Sequence, residues 1–366
     1  MKPSILLLPT TDHCVKSFYY SYKGLIDSYN ISICFDSPNI KQNHKLEGFN
    51  KLNKIILPTT NYIRKINNIF RIRKLTNQYL KNISYLIVSN ECGLIQSAFI
   101  KKAKNKGIEV ISHQVASGIE NENKKIKLIH QLKVYILSRI YDTNICRGYG
   151  YYSDRVWLMG DVWSKITNNT NTNIVSNGYY YNFKEIYKEF VTATKIEKYN
   201  STNKENIVFF GAPFLEFGLT TKKQLNDIYT FVSLMGLELG KTYNIFYKPH
   251  PQEFTFLDFK FNDNVTFIDE LNSEETISIT DVGVSLSSSM SLQTKLIGKR
   301  SVGFWPSWVP DNYKEFSHYF FDDTIINMDE FEKILNNKHC FEPKDINDFI
   351  YTAENPECTI SKLLCL

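Results

Sequence analysis

Two polar motifs in the second half of the chain have the residue types needed to handle a phosphate group. Lys248, Pro249, His250 and Pro251 follow a short apolar, β-prone run that begins at Asn244. Neither proline can continue a strand ladder, so we expect the strand to end here and present His250 at its carboxyl end. An imidazole at this place can hydrogen-bond a phosphate oxygen and donate a proton as the phosphate leaves, and Lys248 adds positive charge beside it.

The second motif is a run of three hydroxyls, Ser287, Ser288 and Ser289, between a strand-like run at 281–286 and a helical pattern near Met290. Open α/β sheets bind ligands at the carboxyl ends of their strands, and a helix N-terminus offers free amide donors and a positive dipole end. Serine is also a favoured helix cap. We therefore expect these hydroxyls to bind phosphate, to cap the helix, or to do both.

Two further segments are expected near the same sheet edge. Gly211 follows the strand-like run 207–210 and would allow a ligand to approach the backbone closely. Trp305 and Trp308 follow a later run and would wall a base or sugar pocket, with aromatic core packing as the alternative.

The first half offers candidates for a catalytic base. Glu91 follows the strand-like run 85–89, where its carboxylate could take a proton from an acceptor hydroxyl. The alternative is a carboxylate that stabilises a helix N-terminus through the helix dipole. Asp12, His113 and Glu120 occupy similar places after other predicted strands and are rival candidates.

Strand and helix patterns alternate along most of the chain, which predicts mostly parallel sheets covered by helices. The predicted strands of the first half are 5–8, 31–35, 54–57, 85–89, 109–113, 155–159 and 173–175, and its predicted helices are 15–29, 64–80, 94–106 and 124–141. The alternation restarts at strand 207–211 and continues with helix 222–239, strands 245–247, 265–268 and 282–286, helix 291–296 and strand 301–304.

The polar segment 199–206 separates these two series and is the predicted domain boundary. We therefore expect an amino-terminal domain at 1–198, a second domain at 199–345 and a closing helix within 346–366. Two Rossmann-like halves of this kind would face each other across a cleft.

Several function classes are disfavoured by what the sequence lacks. It has no Gly-x-Gly-x-x-Gly, no P-loop and no Gly-x-Ser-x-Gly motif, so dehydrogenase, P-loop nucleotidase and α/β-hydrolase chemistry are not expected. Neither an Asp-x-Asp pair nor a zinc-ligand spacing is present, so we expect no metal and no cofactor. No nucleic-acid-binding motif accompanies the basic residues.

Bulk properties favour a cytoplasmic protein. Seven cysteines without a Cys-x-x-Cys pair predict reduced thiols, and the apolar run at 5–8 is too short for a signal peptide. The net charge of +5 is concentrated at 62–81, which carries Arg64 and Lys81 among six basic residues and no acidic one. This helix either rests on an anionic membrane surface or glycan, or is an ordinary solvated face.

The Lys-Pro-His-Pro and Ser-Ser-Ser motifs, with the later segment 298–303, resemble the second half of GT-B-fold glycosyltransferases. The chain is most similar to bacterial sialyltransferases and polysialyltransferases that use CMP-activated sugars. The resemblance implies that His250 contacts the nucleotide phosphate and acts as acid toward the leaving CMP. It also implies that Ser288 and Ser289 bind that phosphate. These families place an acid–acid–glycine motif in the first domain as base, whereas this chain has Asn90, Glu91, Cys92 and Gly93.

The resulting hypothesis is a metal-independent, inverting glycosyltransferase of capsule or lipooligosaccharide type. It would move sialic acid, or a related sugar, from a CMP donor to a hydroxyl of a cell-surface glycan or glycolipid at the inner face of the membrane. The alternatives are a GT-B transferase that uses CMP-Kdo, CDP-glycerol or a UDP-sugar, a UDP-sugar epimerase, and a non-catalytic nucleotide- or glycan-binding protein.

Overall fold

The protein forms two compact units, described from a computed structural model. The first unit comprises Met1–Tyr181 and Ile346–Leu366, and the second comprises Asn182–Asp345. The residues described are 2–34, 46–52, 62–91, 94–115, 150–167, 169–200, 202–215, 220–251, 253, 258–309, 314, 318–337, 346–351 and 355–365.

The described part of the first unit contains a parallel sheet of seven strands in the order β3-β2-β1-β4-β5-β6-β7. Its strands are β1 (Ser4–Leu8), β2 (Asn30–Cys34), β3 (Asn50–Leu52), β4 (Tyr85–Val88), β5 (Glu109–His113), β6 (Arg155–Leu158) and β7 (Thr172–Ile174). Helices cover both faces, which is why the central strands read as almost continuous apolar runs.

The described part of the second unit contains a parallel six-stranded sheet in the order β10-β9-β8-β11-β12-β13. Its strands are β8 (Asn206–Phe210), β9 (Asn244–Lys248), β10 (Val265–Phe267), β11 (Val282–Ser285), β12 (Arg300–Phe304) and β13 (Asp323–Ile325). In both sheets the chain starts in the middle, moves to one edge and then crosses to the other half. The crossing creates a topological switch point, between β1 and β4 in one sheet and between β8 and β11 in the other.

The α-helices of the described residues are α1 (Asp12–Tyr22), α2 (Tyr62–Tyr79), α3 (Leu94–Asn105), α4 (Gly178–Tyr181), α5 (Phe183–Ile186), α6 (Ala193–Ile196), α7 (Lys222–Leu239), α8 (Ser273–Ile279), α9 (Ser289–Leu296), α10 (Met328–Asn336) and α11 (Pro356–Leu364). In the first unit α1 packs on one face of the sheet through Val15 and Phe18, and α3 packs on the other through Phe99. In the second unit α7 buries Ile228 and Val232 against β8 and β9.

The α/β class and the two Rossmann-like sheets confirm the predicted fold class. The units divide the chain earlier than the predicted boundary at 198–199, because the short helices before the polar linker pack on α8. Asn272 Nδ2 donates to the Phe190 carbonyl at 3.0 Å, and Thr192 N donates to Glu275 Oε1 at 3.3 Å. The segment expected as a closing helix belongs to the first unit, where Ile360 of α11 is buried beside α1.

Most predicted elements are present with ends shifted by a few residues, but the helix predicted at 15–29 is shorter, since α1 ends at Tyr22 and only a 3₁₀ turn at Lys23–Leu25 follows it. At one edge of the first sheet the chain has β3 at Asn50–Leu52, whereas the strand predicted at 54–57 lies outside the described residues. The helix predicted at 124–141 also lies outside them. Neither α8 nor β13 was predicted.

Candidate functional site

Three of the predicted site segments meet at the carboxyl edge of the second sheet. β8 lies between β9 and β11, so Gly211 at the end of β8 is flanked by His250 on one side and by Ser287 on the other. Neighbouring strands are about 4.8 Å apart, so the two flanking strands are separated by about 10 Å. The switch point between β8 and β11 therefore brings the predicted imidazole and hydroxyls to one edge.

His250 is held in place by a residue that the sequence analysis did not select. Glu253 is 2% exposed, and its Oε2 accepts the backbone N–H of His250 at 3.1 Å. In return, the backbone N–H of Glu253 donates to the carbonyl of His250 at 2.9 Å. The turn after β9 is thus closed by two reciprocal bonds, and the half-buried His250 is attached to a fixed backbone.

Two tyrosines satisfy the other carboxylate oxygen of Glu253. Tyr229 of α7 donates to Oε1 at 2.9 Å, and the hydroxyl of Tyr247 in β9 donates to the same atom. Burial, and secondly the negative charge of Glu253, raise the pKa of Tyr247 well above its ordinary value, so this phenol stays protonated as a donor. Three donors from three segments therefore converge on one buried carboxylate.

Gly211 serves this arrangement directly. A methyl group on its Cα would overlap Glu253 Oε2 and lie 2.6 Å from Tyr247 Oη. The space beside Gly211 that was expected to admit a bound donor is thus occupied, on this face, by the Glu253 carboxylate. Its backbone N–H continues the β8–β9 ladder by donating to the Lys248 carbonyl at 2.9 Å.

Lys248 and the two prolines have different surroundings from His250. The Lys248 ammonium donates to the Leu271 carbonyl, so the side chain braces the loop after β10. Pro249 is buried and Pro251 is exposed at the turn. These positions are consistent with prolines that end the strand, and they assign Lys248 a structural contact.

The serine run begins α9, as predicted. Ser288 is the N-cap, and its Oγ accepts the N–H of Met290 at 3.3 Å. The Ser288 N–H is itself taken by Ser285 Oγ at 3.1 Å, and Ser285 also bonds Ser291 at 2.7 Å. Ser287 is half-buried and Ser289 is exposed. Capping is therefore present, and Ser289 is the hydroxyl of the run with the greatest access to solvent.

The tryptophan segment lies beside this serine run. Trp305 follows β12, and its Nε1–H donates to the Leu286 carbonyl at 3.0 Å, immediately before Ser287. Trp305 and Trp308 are partly buried and pack on the core of the second unit. Core packing is thus part of their role, and Trp305 also borders the candidate site.

In the first unit, Glu91 is fully buried after β4. Its Oε1 accepts the Gly150 N–H at 2.9 Å and the Ser153 hydroxyl at 2.6 Å, and its Oε2 accepts the Tyr152 N–H at 2.8 Å. Both carboxylate oxygens are therefore engaged in holding the chain at 150–153. This geometry gives Glu91 a structural role, and its role as catalytic base remains a prediction.

The rival candidates of the first unit also have identifiable surroundings. His113 is fully buried at the end of β5 and bonds the Tyr22 hydroxyl through Nδ1 at 2.9 Å. Burial lowers the pKa of His113 to about 3, which keeps the ring neutral. Asp12 lies in the first turn of α1, and Glu120 lies outside the described residues.

A half-buried histidine that the sequence analysis overlooked, His13, lies near Asp12 at the same sheet edge. Its Nε2 is 3.0 Å from the Val115 carbonyl, and its ring packs edge-on against Tyr179 at 4.9 Å between centroids. Because a carbonyl only accepts, Nε2 carries a hydrogen in this contact. His13 was not identified from the sequence because its partners, Val115 and Tyr179, are more than 100 residues away along the chain.

The remaining predictions concern metals, membranes and charge. Within the described part of the chain, no three His, Cys, Asp or Glu side chains come together as metal ligands. Nor do these residues include a helix long and apolar enough to cross a bilayer. The side chains at 62–70 lie outside the described part, while Arg71, Arg73 and Lys74 of α2 are exposed.

Comparison with known proteins identifies the fold. The chain matches no protein-family model and no curated protein. A UDP-GlcNAc 2-epimerase from Neisseria meningitidis bound to UDP-GlcNAc aligns over 99% of this chain and 100% of its own, with a TM-score of 0.63 and 13% identity. A UDP-GlcNAc 2-epimerase from Methanocaldococcus jannaschii aligns over both whole chains, with a TM-score of 0.61 and 11% identity.

The wall teichoic acid polymerase TagF, in a structure with CDPG, aligns over 99% of this chain and 88% of its own, with a TM-score of 0.58 and 12% identity. At these identities the similarity is one of architecture. The protein therefore has the GT-B-like fold of two Rossmann-type units that these sugar-nucleotide enzymes share.

Proposed function

We propose that this protein is a nucleotide-sugar enzyme that holds the nucleotide phosphates at the carboxyl edge of the second sheet. The observation that carries the proposal is the fixed His250 backbone, which lies across Gly211 from the N-terminus of α9 at the switch point of that sheet. Such switch points are where open α/β sheets bind their ligands.

The chemistry follows from the residue types. The dipole and the first amides of α9 favour a phosphate group, and the exposed Ser289 hydroxyl adds a donor. His250 donates a proton, or a hydrogen bond, to the phosphate oxygen that leaves the sugar. Stabilising this leaving group is the principal catalytic task, because charge builds on the phosphate as its bond to the sugar breaks.

A UDP-activated sugar is the first donor that we propose. Two of the structural neighbours are bound to UDP-GlcNAc, and another, from S. aureus, is bound to UDP. The CMP-sialic acid donor inferred from the sequence motifs remains a prediction. In order of preference, we place CDP-linked donors after UDP-sugars and before CMP-sialic acid. Epimerisation of the UDP-sugar is the reaction class that we place first, and transfer to a glycan or glycolipid acceptor is second.

One experiment separates these alternatives. The purified protein is incubated with UDP-GlcNAc, CMP-sialic acid and CDP-glycerol in turn, and the sugar and free nucleotide are followed by NMR. Formation of an epimer without acceptor supports the epimerase. Release of nucleotide only when glycan acceptors are added supports transfer. The absence of turnover and of binding for all three donors would contradict the proposed function.

We also propose a cytoplasmic location. Cys14 and Cys34 are buried and Cys358 and Cys365 are exposed, and none of these four cysteines is in a disulfide. Exposed thiols of this kind persist in a reducing compartment. Contact of α2 with an anionic membrane remains a prediction, and co-sedimentation with anionic liposomes at low salt tests it, because the binding should weaken as salt is added.

A further inference from the structure

A groove runs along the outer edge of the second sheet, beside β10, the last strand at that edge of the described sheet. Its volume is about 440 Å³, within the range of small-molecule sites, about 300–1,000 Å³. Phe246 of β9 and Thr266 of β10 are paired in the ladder and form its floor. Tyr199 packs edge-on against Phe246, at 5.6 Å between ring centroids, and forms one wall. All lining residues belong to the second unit, and we call this feature the edge groove.

One end of the edge groove is neutral and polar. Asn244 lies at the start of β9, and its Nδ2 donates to Thr202 Oγ1 at 2.6 Å and to Asn206 Oδ1 at 2.8 Å. Both hydrogens of this amide nitrogen are therefore used, which leaves the carbonyl oxygen of Asn244 as the group that can serve a ligand. The hydroxyls of Thr202 and Thr266 are on exposed residues and can donate or accept.

The other end carries charges. Asp269 and Glu270 follow β10, and Glu270 Oε1 accepts the Tyr199 hydroxyl at 2.6 Å and forms an ion pair with the Lys198 ammonium. The bond from Lys198, and secondly that from Tyr199, lower the pKa of Glu270 and keep it a carboxylate. Asp269 is exposed and adds a second carboxylate. Two carboxylates against one ammonium give this end a net negative charge.

This distribution selects among ligand classes. The net negative charge repels phosphate and carboxylate ligands. A polyamine would find counter-charges at one end only, because Asn244 and Thr202 are neutral. A neutral oligosaccharide carries hydroxyl donors along its length, which match acceptors at both ends, and apolar ring faces that can lie on the Phe246 and Thr266 floor. The ladder places Asn244 three residues before the level of Phe267, a length of about 10 Å, so the groove is elongated.

We propose that the edge groove binds a neutral oligosaccharide chain, held by the oxygens of Asn244, Thr202 and Asp269. This site goes beyond the proposed function and does not rest on it, because no nucleotide takes part. The charged end of the groove lies next to the strand end that carries His250, since β9 and β10 are neighbours. The Lys248 ammonium joins the two by donating to the carbonyl of Leu271, the residue after Glu270.

The first experiment measures glycan binding to the full chain without nucleotide. N,N′-diacetylchitobiose, lactose and maltotriose are the neutral probes, and spermidine and glucuronic acid are the cationic and anionic comparators. At least one neutral probe should bind with a Kd of about 1 mM or lower by calorimetry. The amide NMR signals that shift should be those of Thr202, Asn244 and Thr266. Binding of spermidine alone, or of none of the neutral probes, would overturn the inference.

The chain offers a matched pair of variants for locating the site. Thr266 and Thr324 are both exposed, and each is the middle residue of an edge strand, at opposite edges of the same sheet. Thr266→Trp places a bulky side chain on the groove floor and should lower the affinity for the neutral probe at least tenfold. Thr324→Trp makes the same change outside the groove and should leave the affinity within twofold of wild type.

Asp269→Ala is a milder variant, because it removes an exposed acceptor without filling the groove. It should weaken binding of the neutral probe by about fivefold, the effect of losing one hydrogen bond. Thermal melts of all variants identify any that fail to fold. If folded Thr266→Trp and Asp269→Ala both bound the probe like the wild type, the glycan would bind elsewhere and the inference would be wrong.

A UDP titration separates this inference from the proposed function. Thr266→Trp should bind UDP like the wild type, because the edge groove is distinct from the edge at His250. A loss of UDP binding equal to the loss of glycan binding would make the groove part of the nucleotide site and contradict the inference. If the wild-type protein binds the neutral probe but no nucleotide, the proposed function fails while the glycan site stands.

Discussion

Glu91 and Glu253 are two buried carboxylates, each close to the carboxyl edge of its own sheet and each satisfied by three donors. We therefore expect similar contributions to stability from the two carboxylates, but the segments that they hold are different. Glu91 closes the loop at 150–153, whereas Glu253 closes the turn that carries His250. Burial and the number of donors therefore do not distinguish the two carboxylates, whereas the segments that they hold do.

The largest effect is expected at His250 itself. Replacing His250 by Ala should lower turnover of the nucleotide sugar by roughly 10²–10⁴-fold, the range for loss of a general acid. The melting temperature should change little because the side chain is only half-buried. Steady-state kinetics and a thermal melt of the same preparation check both points. Turnover like that of the wild type would exclude His250 as the acid.

Truncation of either glutamate should be costly to stability. Glu91→Ala and Glu253→Ala each leave two buried donors and one partly buried donor without their acceptor, so each should lower the free energy of unfolding by about 3 to 5 kcal/mol. Urea unfolding of the wild type and of both variants, followed by tryptophan fluorescence, measures this. If one variant were nearly neutral, the two carboxylates would not be energetically equivalent and the comparison would fail.

Acid stability should depend on the first unit through His113. The unfolded chain takes up a proton near pH 6.5, while folded His113 resists protonation until about pH 3. The free energy of unfolding should therefore fall as pH decreases between these values, by about 1.4 kcal/mol per pH unit. His113→Gln should remove this contribution and flatten the acid limb of a stability–pH curve. An equally steep limb in the variant would show that other groups cause it.

The smallest expected effects distinguish the serines of α9. Ser288→Ala removes the N-cap and should lower the free energy of unfolding by about 1 kcal/mol. Ser289→Ala should leave stability unchanged, because this side chain is exposed, but weaken nucleotide binding a few-fold if its hydroxyl contacts phosphate. Chemical denaturation and nucleotide titration of both variants separate capping from binding. Equal losses of stability would contradict this division.

The sequence predicted the parts of the fold that depend on local patterns. Helix α7 has the predicted bounds, because its periodic apolar face starts at the capping box of Thr221 and Gln224. The end of β9 was predicted from its prolines, and the start of α9 from its serines. Local patterns also predicted that His250 and the serine run lie at one sheet edge, because parallel strands align their carboxyl ends.

The rest depended on contacts between distant residues. Glu91 was correctly placed after β4, but its burial comes from partners about 60 residues further along the chain. Glu253 could have been identified from its place three residues after His250, which is the spacing of a reciprocal cap. Its partner Tyr229 on α7 could not have been identified in this way, because it lies 24 residues away along the chain. The domain boundary was placed too late because the bonds from Asn272 and Glu275 to residues 190 and 192 are invisible in local composition.

The central claim is that the edge around His250 binds a nucleotide, and calorimetric titration with UDP, CDP and CMP tests it most directly. Wild-type protein and Glu91→Gln should bind a nucleotide with equal affinity, with UDP preferred, and His250→Ala should bind it at least tenfold more weakly. Binding that is unaffected by His250→Ala, or the absence of binding for all three nucleotides, would contradict the account.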